Sequence, residues 1–522
     1  LNGMFAFAIY DKQEEELHLY RDRLGIKPLY YYWDEQHFAF ASEIGVFKQL
    51  GKLKLEINPA AILQYLNLGY IPAPFSIYKN IYKLDAGGSL TISKKGIQKN
   101  RYWSLPQVLK KNPEAKEQQV ISSVSDMLSE SVRYQLRSDV PFGIFLSGGT
   151  DSSLIAAKAV ELTGAGVNTF SIGFESRKYD ESIHARSIAG FFKTNHHEFH
   201  VKMQDGIDML ETYMDIYGEP FADSSGIPTL FVSQLARKNV TVALSGEGGD
   251  ELFHGYGSYK WATRLDNFLI YQNRHLIAAT LSNMPGKYKR LAGKFRLAGK
   301  KNIHSHIHTQ EQYYFSHEEA ERMFLTTTLD PSAVRQNSEF TDIQFLAEMS
   351  EADSGRTLSA AEKQALYDIR FYLPDDLLTK IDRASMHFSL ETRVPFLDHR
   401  LVELAVNIDP ALKSKGRSKH ILKEILYRHI PATYFNRPKQ GFSIPIRLWL
   451  KTGMRFLIDD FLNETVIRNA NLVNYDEVRL LVKRFDAGED FLFHKLWLLI
   501  CLHKWFLKET SSHSVREKFK SM

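Results

Sequence analysis

A single cysteine, Cys501, in 522 residues excludes an internal disulfide framework and suits a reducing compartment. It lies in "LWLLICLHKWF", where an apolar helix face accounts for it better than a reactive thiol does. No apolar run is long enough to span a bilayer and no signal peptide is present, so a soluble, cytoplasmic protein is expected. Charge of one sign is also scarce. Lysine plus arginine total 66 against 61 aspartate plus glutamate, a net +5 that gives no whole-chain reason to bind nucleic acid or a membrane. The most basic run, "PGKYKRLAGKFRLAGKK", has no aromatic platform or nucleic-acid motif beside it and reads as a solvated helix face. A composition 44% hydrophobic and 24% charged is that of a folded chain with two or three domains, and argues against disorder.

The chain also lacks a Walker lysine. The stretch "GIFLSGGTDSSLIAA", Gly143 to Ala157, is an apolar run that breaks at a Ser-Gly-Gly turn and resumes with helical character. Glycines let backbone amides crowd together, and a helix N-terminus adds unpaired N–H groups, so the turn suits a phosphate. A P-loop would place Lys-Ser/Thr here, whereas this turn carries Asp151 and hydroxyls.

Along the chain, residues 1–102 show short β-type runs ("MFAFAIYD", "ELHLYRD", "PLYYYW", "HFAFAS", "GGSLTI") and read as an α+β unit. A polar linker is expected at 103–119. From there to residue 510 strands and helices alternate ("VPFGIFL", "VNTFSIGF", "VTVALSG") and then give way, from about Tyr256, to mostly helix. The expected fold class is α/β, a doubly wound parallel sheet with a helical C-terminal region, with 511–522 as a polar tail. Ligands of such sheets sit at the carboxyl ends of strands, where "SGGTDSS" and "SGEGGDE" both fall. His196 and His197 in "NHHEF" are adjacent on a strand and point to opposite faces, which argues against a shared metal ion.

The strand, the Ser-Gly-Gly-x-Asp-Ser-Ser turn and the helix together resemble the pyrophosphate loop of the ATP pyrophosphatases, enzymes that cleave ATP between its α and β phosphates. With "ALSGEGGDELFHGY", "LETRVPFLDHRLVELA" and "RPKQGFSIPIRLWL", the chain resembles the synthetase domain of the glutamine-dependent asparagine synthetase family. "LNGMFAFAIYD" and "RDRLGIKPLYY" resemble the closing part of that family's N-terminal glutaminase domain, an Ntn hydrolase-like α+β unit. The resemblance implies ATP and Mg²⁺, with aspartate and ammonia or glutamine as small-molecule substrates. It implies no nucleic acid or membrane, and leaves a homodimer open.

Residue by residue, the resemblance places Ser147, Gly148, Gly149, Ser152 and Ser153 around the outer phosphates, Asp151 and Asp250 as Mg²⁺ ligands, and Leu146, Ile172, Ser245 and Gly246 around the adenosine. Glu247 matches a carboxylate supporting aspartyl-adenylate formation and ammonia attack; a helix-start carboxylate is its bland alternative. Lys419 in "GRSKHILKE" matches a phosphate-contacting lysine, against a surface helix lysine. Asp180, Glu181, Lys380, Asp382 and Arg383 match positions near the cleft. Two departures stand out: Thr150 where an aliphatic residue is common, and His254 where glycine is common. The family's N-terminal nucleophilic cysteine and its glutamine-binding motifs have no counterpart here, so an upstream segment is expected. The alternatives are an amidotransferase acting on another carboxylate, such as a sugar acid, or a silent nucleotide-binding scaffold.

Overall fold

The computed structural model describes residues 1–522 except 52, 54, 177–178, 285–286, 298, 326–336, 338, 352–354, 438–443 and 521–522. Among the described residues the strands form three sheets. In the first hundred residues β1 (Ala6–Asp11), β2 (Glu16–Arg21), β3 (Tyr30–Trp33), β4 (Phe38–Ala41), β5 (Ile81–Lys83), β6 (Gly88–Ser93) and β7 (Gly96–Arg101) follow one another. They build two antiparallel sheets, ordered β1-β2-β6-β7 and β4-β3-β5. The five apolar runs expected to be strands are strands. The short β5 and the polar β7 carry too little alternation to have been read.

Helix Pro59–Leu68 follows β4 in the chain and packs against helices Ile303–Gln312 and His317–Met323; Asn58 caps it by accepting from the Ala60 N–H at 3.1 Å, and Gly69 ends it with φ +83°. The stretch expected as a linker contains a short helix, Leu105–Val108, and already includes the start of helix Glu117–Gln135. There Val120, Val124, Leu128 and Val132 are buried at the helical spacing read from the sequence.

The second portion is built on β8 (Phe142–Phe145), β9 (Asn168–Phe174), β10 (Asn195–Val201), β11 (Val242–Leu244) and β12 (Glu391–Arg393), a wholly parallel sheet in the order β10-β9-β8-β11-β12. From β8 the chain steps outward through β9 to β10, then returns to the other side of β8 for β11 and β12. The strand order therefore reverses between β8 and β11, and a crevice opens at their carboxyl ends. The central strands β8 and β11 are short and largely apolar, with Ile144, Val242, Ala243 and Leu244 all buried, whereas the edge strands β10 and β12 are polar. From Gly257 onward β12 is the only strand among the described residues, and the rest of the regular structure is helical.

One apolar core runs through both portions, from Leu24 to Trp505. Ion pairs also join them: Lys83 to Glu219 at 2.8 Å, Lys27 to Asp382 at 2.9 Å and Arg370 to Asp85 at 2.9 Å. Cys501 is buried in this core, and burial pushes its thiol well above the usual range, in keeping with a structural role. His196 contacts Thr169 Oγ1 at 2.9 Å and Ser171 Oγ at 3.1 Å, while His197 stacks on Phe170. The two histidines part as strand geometry requires. No described helix is long and apolar enough to cross a membrane.

Candidate active site

The loop after β8 is folded by its own side chains. Ser152 Oγ accepts from the Ser147 N–H at 3.2 Å and contacts Ser147 Oγ at 3.0 Å, and Ser147 Oγ accepts from the Gly149 N–H at 3.2 Å. Gly148 has φ +75°, and a Cβ there would lie 2.9 Å from the Ala185 backbone nitrogen. Only glycine fits both the turn and the close approach of helix Ser182–Phe192. Helix Thr150–Thr163 starts directly after Gly149, so its free N–H groups open toward the turn. Ser153 is an exception among the loop residues: its hydroxyl is fully buried and has no partner among the described residues.

The second loop follows β11. The Ser245 N–H donates to Arg393 O at 2.8 Å, tying it to the end of β12. Gly246 and Gly249 pack against the first loop: an added Cβ would sit 2.9 Å from Ser152 N and 2.7 Å from Asp151 Cγ respectively. This contact brings Asp151 and Asp250 together.

Lys419 lies between those two carboxylates. Its ammonium contacts Asp151 and is 2.6 Å from Asp250 Oδ1. The residue is buried and left-handed, φ +54°, at the start of helix His420–Leu426. That excludes the surface-helix reading. Burial works against the charge, but Asp151 and Asp250 outweigh it and hold the ammonium above its ordinary pKa. Gly255 makes the arrangement possible, since any Cβ there would collide with Asp250 Oδ1 and Lys419 Cε.

Glu247 stands beside this centre. Burial pushes its carboxyl up, and the Lys380 ammonium pulls it back. Lys380 is 3.0 Å from Asp223 Oδ2. Burial alone would lower its pKa, but Asp223, Glu247 and Asp376 raise it. Asp382 and Arg383, close in sequence, turn instead to the first portion, where Asp382 pairs with Lys27 and Arg383 with Glu43 at 3.2 Å. Asp180 accepts from the Ser182 N–H at 3.0 Å, and Glu181 precedes the helix it starts. Leu146 and Ile172 are buried at the ends of adjacent strands, with the Leu146 N–H bonded to Phe170 O at 2.8 Å.

Four residues were not singled out from the sequence. Glu251, hydrogen-bonded by the Tyr256 hydroxyl at 2.7 Å, is pushed by burial to about 8. Arg437, the first residue of "RPKQGFS", donates to Gly148 O in the Ser-Gly-Gly turn at 2.8 Å; residues 438–443 of that motif lie outside the described residues. Asp223 and Asp376 complete the Lys380 group. Asp223 had a local signal in "ADSSG", an Asx turn in which its carboxylate accepts from Ser225 N and Oγ.

An asparagine synthase family model matches residues 123–507, and a glutamine amidotransferase domain model matches residues 1–103. The chain belongs to the asparagine synthase family. It is similar to a putative asparagine synthetase [glutamine-hydrolyzing] 2 of Methanocaldococcus jannaschii, 38% identical over 397 residues, covering 74% of this chain and 72% of that protein. It is also similar to asparagine synthetase [glutamine-hydrolyzing] 1 of Bacillus subtilis, 30% identical over 546 residues, covering 99% and 80%. A putative asparagine synthetase of Mycobacterium bovis is 30% identical over 521 residues, covering 97% and 76%.

Among the described residues no three His, Cys, Asp or Glu side chains form a metal cage. Two aspartates drawn to one cation suit a different arrangement. Their carboxylate oxygens are hard donors of the kind that Mg²⁺ takes.

Proposed function

We propose that this asparagine synthase family member is an ATP-dependent carbon–nitrogen ligase that forms asparagine from aspartate and ammonia, releasing AMP and pyrophosphate. The observation that carries the reading is the convergence of Asp151, Asp250 and Lys419 at the carboxyl ends of β8 and β11, beside Glu247.

In this reading the portion after residue 120 has the ATP-pyrophosphatase fold and the first 102 residues are part of an Ntn-type amidotransferase unit, which supplies ammonia from glutamine in a complete protein. The Ser147–Ser153 turn binds the β and γ phosphates through its amides, Ser147 and Ser152, with the helix dipole behind them. Leu146, Ile172, Ser245 and Gly246 line the adenosine. Asp151 and Asp250 hold Mg²⁺, which when bound neutralises charge on the phosphates. Lys419 stabilises the α-phosphate as the aspartate side-chain carboxylate attacks it and pyrophosphate leaves. The nitrogen of ammonia then adds to the β-carbonyl of aspartyl-AMP. Glu247 accepts the proton the nitrogen gives up, and AMP departs with the former acyl oxygen. A carboxyl raised by burial and restrained by Lys380 suits that task.

The test is to supply aspartate, ammonium and Mg·ATP and measure asparagine, AMP and pyrophosphate. All three in equal amounts are expected. ADP with orthophosphate would overturn the reaction class, and AMP formation only with a different acid would overturn the acceptor. The silent-scaffold alternative is not favoured, because the charged groups it would have lost are present and mutually paired.

A further inference from the structure

Between Asp266 and Glu311 the sequence carries eight lysines and arginines and no acidic residue. Those charges exceed the +5 of the whole chain, so the remainder is net acidic and the positive charge is concentrated here. The same segment holds the most exposed large apolar side chains after Leu1 among the described residues: Leu269 is 69% exposed, and Phe268 and Leu276 are each 68% exposed. Single apolar side chains on a surface need no explanation, but these three fall within one short stretch.

They share a helix face. Helices Phe268–Gln272 and Arg274–Ser282 are separated by Asn273 alone. The Asn273 N–H donates to Leu269 O at 3.2 Å and the Ile277 N–H to Asn273 O at 3.0 Å, which carries the helical path across the break. Positions about two turns apart lie one above the other, so Leu276 aligns with Leu269, and Phe268 flanks them. Burial follows the same period. Ile270, Ile277, Ala278 and Leu281 turn inward to an apolar cluster with Leu265 and Phe295, whereas Gln272, Ala279 and Thr280 are exposed. The three outer side chains are not needed to complete that cluster.

The basic run after this face belongs to the same surface element. Arg274 Nε donates to Leu297 O at 2.9 Å and Arg296 to Ser282 Oγ at 2.7 Å, which ties the end of helix Lys287–Phe295 to helix Arg274–Ser282. Several of its cations rest on neutral groups: Arg274 also donates to Tyr271 O at 2.9 Å, and Arg290 lies over the Tyr313 ring at 3.4 Å. Lys301 is exposed. Lys289 and Lys294 are paired, with Glu489 and Glu311. The basic run read from the sequence as a solvated helix face therefore adjoins an apolar face that the sequence did not single out.

The chemistry of this surface selects its occupant. Leucine side chains give nothing to the phosphates or stacked bases of a nucleic acid. A second copy docked face to face about a two-fold axis would set two acid-free basic runs against each other. Side chains this exposed stand clear of the surface, and cations beside them complement negative headgroups, which is the pattern of a helix that lies in a membrane interface.

We infer that Phe268, Leu269 and Leu276, with the basic run that follows them, form a docking face for an anionic phospholipid bilayer, which the protein touches from one side without crossing. The test is sedimentation of the full chain with vesicles of phosphatidylcholine alone or with about one-third phosphatidylglycerol. Binding to the mixed vesicles is expected at about 0.05 M salt and at least tenfold weaker at about 0.5 M. Replacing all three apolar residues, Phe268→Gln, Leu269→Gln and Leu276→Gln, is expected to weaken it at least tenfold. Arg296→Gln with Lys301→Gln should weaken it roughly tenfold. Glutamine keeps helix propensity, so the thermal midpoint is expected to stay within about 3 °C in both variants, which separates lost docking from lost fold. Cys501 is buried, so a thiol-linked dye on Leu276→Cys reports this face alone. Its emission should shift to the blue with mixed vesicles, and the same dye on Lys94→Cys, exposed in the first portion, should not shift. No sedimentation with mixed vesicles, undiminished binding by the glutamine variant, or no shift at position 276 overturns the inference. A doubled mass without lipid that the glutamine variant abolishes gives the face to a second copy, and a dye shift with polyglutamate but not with vesicles gives it to an acidic protein. Either result overturns the bilayer.

Discussion

The Lys419 ammonium is 2.6 Å from Asp250, and it holds that carboxylate and Asp151, from two different strand ends, on one buried cation. Removing one member of such a buried group leaves uncompensated charge, at a cost of about 3–5 kcal/mol. Lys419→Met is therefore expected to lower the thermal midpoint. Mg²⁺ alone should restore more of it than it adds to the unaltered protein, because the Lys419 ammonium no longer competes for the Asp151 and Asp250 carboxylates. Amide formation should fall roughly 10²- to 10³-fold, the usual loss for one preorganised stabilising group. Thermal melts with and without Mg²⁺, alongside AMP release, check both parts.

Glu247 is placed to take a proton late in the reaction, so its loss should separate the two halves. Glu247→Gln keeps the shape and the hydrogen-bonding end but cannot accept the proton. Pyrophosphate exchange with aspartate should persist within about tenfold, while asparagine formation falls roughly 10²- to 10⁴-fold. Equal loss of both activities would assign Glu247 to adenylate formation instead.

Local chemistry was legible in the sequence and distant pairing was not. The apolar run ending at Ser147-Gly148-Gly149 announces strand, turn and helix within fifteen letters, because glycine tolerance and helix N-termini are local properties. β11 was readable for the same reason. β12 was not: three residues, Glu391–Arg393, are a strand only because β11 lies alongside. The Asp223–Lys380 pair joins positions 157 residues apart, and nothing near either residue names its partner. Lys419 from composition alone is a surface lysine; its left-handed backbone and its burial exist only once Gly255 lets the chain pass. Ser153 belongs to the motif by spelling, and its buried hydroxyl has no hydrogen-bond partner among the described residues.

Gly148 and Gly149 are adjacent and look equivalent, but their surroundings differ. At Gly148 a side chain meets backbone atoms of His184 and Ala185 at 2.9–3.0 Å and must hold φ at +75°. At Gly149 the only neighbour within reach among the described residues is Ser147 Oγ at 3.2 Å, and φ is −76°. Gly148→Ala is expected to cost about 1–3 kcal/mol and to weaken ATP binding by tenfold or more, whereas Gly149→Ala should stay within a few-fold. Calorimetric titration of Mg·ATP against the two variants distinguishes them.

Asp342 provides a pH test away from the cleft. It is fully buried, accepts from the backbone N–H groups of His304 at 3.1 Å and Ser305 at 3.3 Å, and burial pushes its carboxyl to about 7. The native state therefore keeps a proton that the unfolded chain releases near 3.8. Its contribution to stability is complete below the unfolded value and is lost as pH rises toward and through about 7, with a slope of up to about 1.4 kcal/mol per pH unit. Asp342→Asn still accepts both backbone hydrogen bonds but has no proton to lose. Denaturant unfolding at pH 5, 6, 7 and 8 should show the variant gaining on the unaltered protein as pH rises. Because Glu251 and Asp368 are raised as well, to about 8 and about 7, both proteins should keep a residual decline over the same range. Parallel curves for the two proteins would mean that Asp342 is ionised in the folded state.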